Sequence, residues 1–372
     1  MKKVAITANT SWYLYNFRIN TIKALLESDY KVIAIAPLDD YSSKLKSLGV
    51  KYIDINIDQG GTNVFKDLKT LIDFYSIYKE NPVDIVLNFT PKNNIYSTLA
   101  ASRFDIKVIN NIAGLGLLFV SENITSKIAR FLYKVSQRYA DKIFFQNDDD
   151  RHLFLKSIIS TPSRTERLPG SGVDLSRFTV VHAPDDNVVR FLLVARMIYD
   201  KGILQYVESA KILKEKYGDN VEFSLLGFLD VNNPSAISSS TMNSWTEAGY
   251  VNYCGVSDNV EAEIGFSDCI VLPSFYREGV PKSLLEAGAM GKPIITTDNV
   301  GCRETVEHGV NGFICEPKSV ESLTDMLERM IKMSHENRIK MGISSRTKMA
   351  TEFDEQIVIK KYLNAINYLN SN

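Results

Sequence analysis

The pairs Arg196-x4-Lys201 and Glu278-x7-Glu286 hold the side chains of this sequence best suited to chemistry. Arg196 and Lys201 stand between an apolar run, Arg190–Ala195, and a helical stretch, Ile203–Tyr217. A buried strand ending at Ala195 delivers them on a loop at its carboxyl end, where open α/β sheets bind ligands. A guanidinium grips phosphate oxygens in pairs and an ammonium adds a point charge, so the two suit a diphosphate. The competing reading is a pair of solvated basic residues at a helix start.

The second pair follows another buried run, Asp268–Pro273. Gly279 allows a backbone to approach a ligand closely, and Pro281 suits the first turn of a helix. The amides of 279–283 then face an anion, which the helix dipole favours. Glu286 is expected about one and a half turns inside that helix, among Leu284, Leu285, Ala287 and Ala289. A carboxylate buried there needs partners, and a ribose diol offers two hydroxyl donors. The alternative is a surface helix residue.

These loops need a scaffold of alternating strands and helices. Short apolar runs recur at Val4–Ala8, Val32–Ala36, Ile85–Asn88 and Ile143–Gln146, then at Arg190–Ala195, Glu222–Leu226, Ile270–Pro273 and Pro293–Thr297. Amphipathic stretches such as Phe17–Leu26, Val64–Lys79 and Val320–Met333 separate them. That alternation predicts parallel sheets covered on both faces, an α/β fold. The pattern restarts near Val189, after the Pro- and Gly-rich join Leu168–Asp174, a candidate hinge. The expected division is therefore residues 1–168, residues 169–352 and a helical tail, 353–372, packing back on the first domain.

Composition narrows the function. A length of 372 residues fits two domains, and a net charge of −1 argues against general nucleic-acid binding. The four cysteines, Cys254, Cys269, Cys302 and Cys315, form no C-x-x-C pair and read as reduced packing residues. No metal or cofactor motif is visible. Met1-Lys2-Lys3 leads into Val4–Ala8, which is too short for a secretory-signal core and reads as a first strand. No run approaches the roughly 20 apolar residues of a membrane span. The chain is expected in the cytoplasm, and any membrane contact is expected to be peripheral.

The motif Glu278-x7-Glu286 behind Arg196-x4-Lys201 resembles the signature of glycosyltransferase family four. The resemblance runs on through Gly291-Lys292-Pro293, Gly301-Cys302-Arg303-Glu304 and Gly309-Val310-Asn311-Gly312. It implies a retaining enzyme of GT-B architecture: two doubly wound Rossmann-like domains, a cleft between them, and a C-terminal helix crossing back to the first. By that resemblance Arg196 and Lys201 hold the diphosphate of a nucleotide-sugar donor, Glu286 its ribose and Glu278 the transferred sugar. The backbone of Gly279, Val280 and Pro281 faces sugar and phosphate, although Pro281 has no N–H to give. The loops at Gly227 and Val256 flank the base, with ordinary turns as the alternative.

The first domain carries fewer signals. Asn9–Arg18, Thr90–Tyr96 and Asn111–Gly116 follow strands and are expected as site loops, with Asn9, Thr90, Lys92 and Gly114 as acceptor-binding candidates. A structural role for Lys92 is the alternative. The first of these loops lacks the glycines many relatives have there, and Phe89 stands where many have a histidine. Thr90-Pro91-Lys92 and Gly114-Leu115-Gly116 are similar to bacterial enzymes that extend polyprenyl-diphosphate-linked sugars, which implies a lipid-linked acceptor in O-antigen or capsule synthesis. Over Thr125–Tyr139, Lys127, Arg130, Lys134 and Arg138 fall on one helical arc beside a stripe of Ile124, Ile128, Phe131, Val135 and Tyr139. Such a helix lies on anionic lipid, or its stripe packs on the sheet with the basic arc in solvent. The first reading places the protein on the inner face of the cytoplasmic membrane. A sugar-nucleotide epimerase and an inert sugar-binding scaffold are the rival functions.

Overall fold

The computed structural model describes residues 2–58, 63–116, 123–157 and 161–371. They form two compact units, Met1–Ser171 with Gln356–Asn372, and Gly172–Glu355. These divisions fall three residues beyond the expected joins at 168 and 352.

The first unit is a parallel sheet of β1 (Lys3–Thr7), β2 (Lys31–Ala36), β3 (Lys51–Asp54), β4 (Ile85–Asn88), β5 (Lys107–Ile112), β6 (Lys142–Phe145) and β7 (Thr165–Arg167), in the order 3-2-1-4-5-6-7. Its helices are α1 (Ser11–Glu27), α2 (Ser42–Lys46), α3 (Val64–Glu80), α4 (Thr98–Ala101), α5 (Ile124–Ser136) and α6 (Asp148–Ser157). Alternate strand residues feed two cores. Val86, Val108 and Ile143 meet Phe74, Ala101, Tyr133 and Phe154 on one face, while Ile6, Leu87 and Ile109 meet Leu14 and Ile22 on the other. Burial on both faces explains why these strands read as continuous apolar runs.

The second unit holds β8 (Val189–Val194), β9 (Val221–Leu226), β10 (Asn252–Tyr253), β11 (Cys269–Leu272), β12 (Ile294–Thr297) and β13 (Gly312–Cys315), in the order 10-9-8-11-12-13. Around them pack α7 (Ile203–Tyr217), α8 (Ser239–Glu247), α9 (Val260–Phe266), α10 (Lys282–Ala289), α11 (Val320–Lys332) and α12 (His335–Glu352). A last helix, α13 (Glu355–Ser371), belongs to the first unit from Gln356 on, where Tyr362 stands edge-on to Phe89 and Phe144. Strand order reverses direction beside β1 and β4 in one sheet and beside β8 and β11 in the other. Such switch points open a crevice at the carboxyl ends of the strands.

Local detail departs from the expectations in four places. The segment Asn9–Arg18 is not a loop: Thr10 accepts the amide of Tyr13 and starts α1 at Ser11. Residues Asn93–Ser97 form a π-helical turn directly after Thr90-Pro91-Lys92. Pro281 is the cap residue of α10 (ψ 121°) rather than part of its first turn, so Glu286 sits about one turn in. The apolar stripe of α5 does not pack on the sheet. Ser126, Tyr133 and Ser136 are buried, whereas Ile124, Ile128 and Phe131 are exposed.

A buried amide ladder crosses the first switch point. Thr7 donates to Asn88 Oδ1 (2.6 Å), Asn88 to Asn110 Oδ1 (2.8 Å), Asn110 to Gln137 Oε1 (2.7 Å), and Gln137 to the carbonyl of Asn94 (2.8 Å). It ties β1, β4 and β5 to the π-turn. Replacing Asn110 by Ala strands Asn88 Nδ2 and Gln137 Oε1 in the interior. Urea unfolding should show a loss of about 1–3 kcal/mol, and an unchanged midpoint would mean that the ladder holds nothing in place.

Candidate active site

Two loops at the second switch point are stitched together by backbone. The loop after β8 turns at a short helical segment, Tyr199–Lys201. There the Asp200 carbonyl accepts the amides of Phe275 and Tyr276 (3.0 Å each), which follow β11. Ser274 donates to that same carbonyl (3.3 Å) and lies 3.0 Å from Glu278 Oε1. Lys201 forms an ion pair with Glu278, and both side chains are 12% exposed. Backbone pairing between the loops thus places an ammonium and a carboxylate that are 77 residues apart in sequence side by side.

The stretch after β12 supports this junction from beneath. Asn299 donates to the carbonyls of Tyr276 (2.6 Å) and Ser274 (3.3 Å), and Thr297 also donates to Ser274. Gly301 is left-handed (φ 85°), and a Cβ there would lie 2.1 Å from the carbonyl oxygen of Gly279. The glycine whose conformation the site requires is therefore Gly301, while buried Gly279 is the backbone it receives. Gly227 plays a similar part after β9. A Cβ there would sit 1.9 Å from the carbonyl of Ala195, next to Arg196, and its amide donates to Gly255 (2.7 Å). Val256 follows with an exposed side chain.

Arg196 is exposed, and its charge reaches the half-buried phenol of Tyr276, opposing the upward pull of burial and of Glu278 on that hydroxyl. Val280 and Pro281 are buried at the start of α10, where Pro281 is the cap residue and supplies no side-chain hydrogen bond. A helix start leaves amides pointing outward and carries a partial positive charge. One turn in, Glu286 has a side chain 13% exposed, with Lys282 Nζ 3.9 Å away. Burial pushes its carboxyl above the usual glutamate range, Lys282 and Arg177 draw it back, and Glu261 adds to the rise. Arg177 pairs with Glu261, so Glu286 faces a charged cluster that the sequence reading did not include. Ser274, Asn299 and Arg177 were missed because each acts through a carbonyl or a neighbour remote in sequence.

The candidates of the first unit lie at its own switch point. Asn9 is half-buried two residues past β1. Thr90 is buried and donates to Asn93 Oδ1 (2.6 Å), and Lys92 pairs with Asp67 of α3 at 2.6 Å. Gly114 is half-buried two residues past β5.

A carboxyl held above its ordinary pKa favours the folded state when protonated. Glu286 therefore adds stability at pH below the ordinary carboxylate range, and that contribution is lost as pH rises through its raised pKa. Glu286→Gln should be at least as stable as the parent at neutral pH, and the difference should close on acidification. A variant that melts well below the parent at pH 7 would mean the ionised form is the better-satisfied one.

Comparison with known proteins covers both units of the chain. Residues 3–147 match the family model described as Glycosyl transferase 4-like, and residues 176–348 the one described as Glycosyl transferases group 1. The chain is 27% identical over 379 residues to the N,N'-diacetylbacillosaminyl-diphospho-undecaprenol alpha-1,3-N-acetylgalactosaminyltransferase of Campylobacter jejuni, covering 97% of each. It is 25% identical to the Escherichia coli UDP-Gal:alpha-D-GlcNAc-diphosphoundecaprenol alpha-1,3-galactosyltransferase, covering 79% of this chain and 77% of the relative. Among solved structures, a Rickettsia africae glycosyltransferase superposes with a TM-score of 0.81 at 19% identity, over 100% of this chain and 99% of the other. Anabaena HepE in complex with UDP gives 0.77 at 14% identity, over 99% and 100%. With both halves matched in tandem and the fold shared along its length, the chain belongs to the glycosyltransferases of the group 1, family-four type, built on the GT-B fold.

Proposed function

We propose that this glycosyltransferase moves a hexose or N-acetylhexosamine from a nucleotide diphosphate sugar, UDP-linked in the first instance, onto a polyprenyl-diphosphate-linked saccharide during surface polysaccharide synthesis. Transfer retains the anomeric configuration and needs no metal. The observation that carries the reading is the stitched junction after β8 and β11, which gathers Lys201, Glu278 and the start of α10 at one switch point, with Arg196 on the same loop. The relatives' names supply the substrate class: two name diphosphoundecaprenol-linked sugars, and one of these names UDP-galactose.

In this reading the bond from C1 of the sugar to the β-phosphate oxygen breaks, and the departing diphosphate takes the electron pair. Arg196, Lys201 and the α10 amides stabilise that charge, work a divalent cation does in other sites. An acceptor hydroxyl bonds to C1 on the same face, and its proton passes to the leaving phosphate oxygen. Glu278, held by Lys201 and Ser274, accepts hydroxyls of the transferred sugar. Glu286 accepts the ribose diol, and the backbone at Gly227 and Val256 lies against the base. Asn9, Thr90, Lys92 and Gly114 serve the acceptor. Glu278 and Glu286 are not a glycosidase pair, since one precedes α10 and the other lies within it.

Purified protein given UDP- and GDP-sugars in chelator should release nucleoside diphosphate when a polyprenyl-diphosphate-sugar acceptor is present, and the product should keep the donor's anomeric form. Donor isomerised without acceptor would make it an epimerase, and no turnover of any donor a scaffold. An inverted product or an absolute metal requirement would overturn the mechanism.

We also propose that the enzyme works peripherally on the cytoplasmic face of the membrane, resting on α5. Among the described residues no helix is long and apolar enough to cross a membrane. Helix α5 turns Ile124, Ile128 and Phe131 outward beside a basic arc. Each Lys or Arg near an anionic surface contributes roughly 1 kcal/mol, screened by salt. Changing Lys127, Arg130, Lys134 and Arg138 to Gln should abolish most binding to anionic vesicles at low salt and leave UDP affinity unchanged. Parental vesicle binding by that variant would end the α5 reading.

A further inference from the structure

We infer that α3 is a second lipid-contacting helix, and that α3 and α5 together form one membrane-facing surface of the first unit. Helix α3 buries only Thr70, Phe74 and Tyr78. At 100° per residue Val64, Phe65, Leu68, Ile72 and Tyr75 fall within one arc of about 100° outside that buried face, a stripe over three turns, and all five are exposed. Phe65 is 85% exposed and Val64 74%. A monomeric soluble domain seldom leaves so continuous an apolar stripe in water.

Helices α3 and α5 belong to the same layer. Tyr78 of α3 and Tyr133 of α5 enter one core. Between the helices lies the π-turn, with Ser97 bonded to Tyr78 (2.6 Å) and the Asn94 carbonyl bonded by Gln137, just past α5 (2.8 Å). Both helices follow strands of a parallel sheet, so both begin at its carboxyl edge, and their most exposed apolar residues lie in their first turns. Lys92, an acceptor candidate, pairs with Asp67 in the first turn of α3. The surface therefore stands at the edge where a lipid-linked acceptor is proposed to enter.

Charge selects lipid over a protein partner. Residues Ile124–Tyr139 contain four basic side chains and no acidic one in a chain whose net charge is −1. On α3, Asp67 is neutralised by Lys92 and Asp73 by Lys69 (2.8 Å). One helix thus presents an apolar face with Asp67 and Asp73 each paired to a lysine and its neighbour presents cations beside an apolar stripe, the combination that suits insertion among anionic headgroups.

The inference rests on the membrane reading of α5, and two variants separate them. Phe65→Ser with Leu68→Ser and Ile72→Ser changes only exposed positions on α3. With vesicles of phosphatidylcholine and phosphatidylglycerol, this variant should partition on the order of tenfold more weakly than the parent at both low and high salt. The α5 glutamine variant should lose only the salt-sensitive part. In Leu68→Trp, the introduced indole should shift its emission to the blue on vesicle addition and be quenched by brominated lipid. Parental partitioning by the serine variant, or an unmoved emission in vesicle-bound Leu68→Trp protein, overturns α3 as a contact, whatever becomes of α5. Concentration-dependent self-association that the serine substitutions abolish would instead assign the stripe to a second copy and also overturn it. Loss of binding in the serine variant alone would uphold α3 and remove α5.

Discussion

In the second unit the Asp200 carbonyl takes the amides of Phe275 and Tyr276, and the Lys201–Glu278 ion pair closes over the same junction. The placement of Lys201 against Glu278 depends on this stitching. An ammonium and a carboxylate withdrawn from water are costly singly and tolerable only together, so each fixes the position of the other. The backbone bonds set the spacing at which they meet. Asn299 holds the carbonyls of Ser274 and Tyr276, and Gly301 leaves room for the backbone of Glu278 and Gly279, so both support the junction through main-chain atoms.

Glu286 poses the opposite problem. It is nearly buried, its nearest cation is 3.9 Å away, and burial is the largest influence on its carboxyl. The site has one acidic group already neutralised and one held under desolvation strain. Such an arrangement suits a ligand that brings hydroxyl donors to the second while its own anionic group faces the ammonium that neutralises the first. A diphosphate tethered to a ribose does both.

The first unit meets the same topology with different chemistry. Its switch point is lined by neutral amides and hydroxyls in a buried ladder, with the buried guanidinium of Arg18 over the Phe89 ring and the pair Lys92–Asp67 at its margin. Uncharged donors and acceptors fixed by one another suit sugar hydroxyls better than phosphate. The two apolar helix faces lie in the layer over this ladder, so one layer serves both the polar interior and a surface that water does not favour.

The sequence by itself determined the parallel sheets and the two-domain plan and singled out Arg196, Lys201, Glu278 and Glu286 as candidates, because doubly buried strands and short loop motifs are local patterns. It also showed that a basic arc and an apolar stripe share α5. It could not show which way that stripe faced, since an amphipathic pattern is the same whether its apolar side meets a sheet or solvent; only the burial of Ser126, Tyr133 and Ser136 decided it. Tertiary structure alone paired Lys201 with Glu278, put Arg177 and Glu261 beside Glu286, and gave Gly301 rather than Gly279 the strained conformation. Each of these depends on contacts between segments tens of residues apart or on backbone geometry, for which residue type carries no local signal. The start of α1 was legible in principle, as Thr10 is a good cap, but a segment that directly follows a strand in an α/β fold is equally compatible with a site loop.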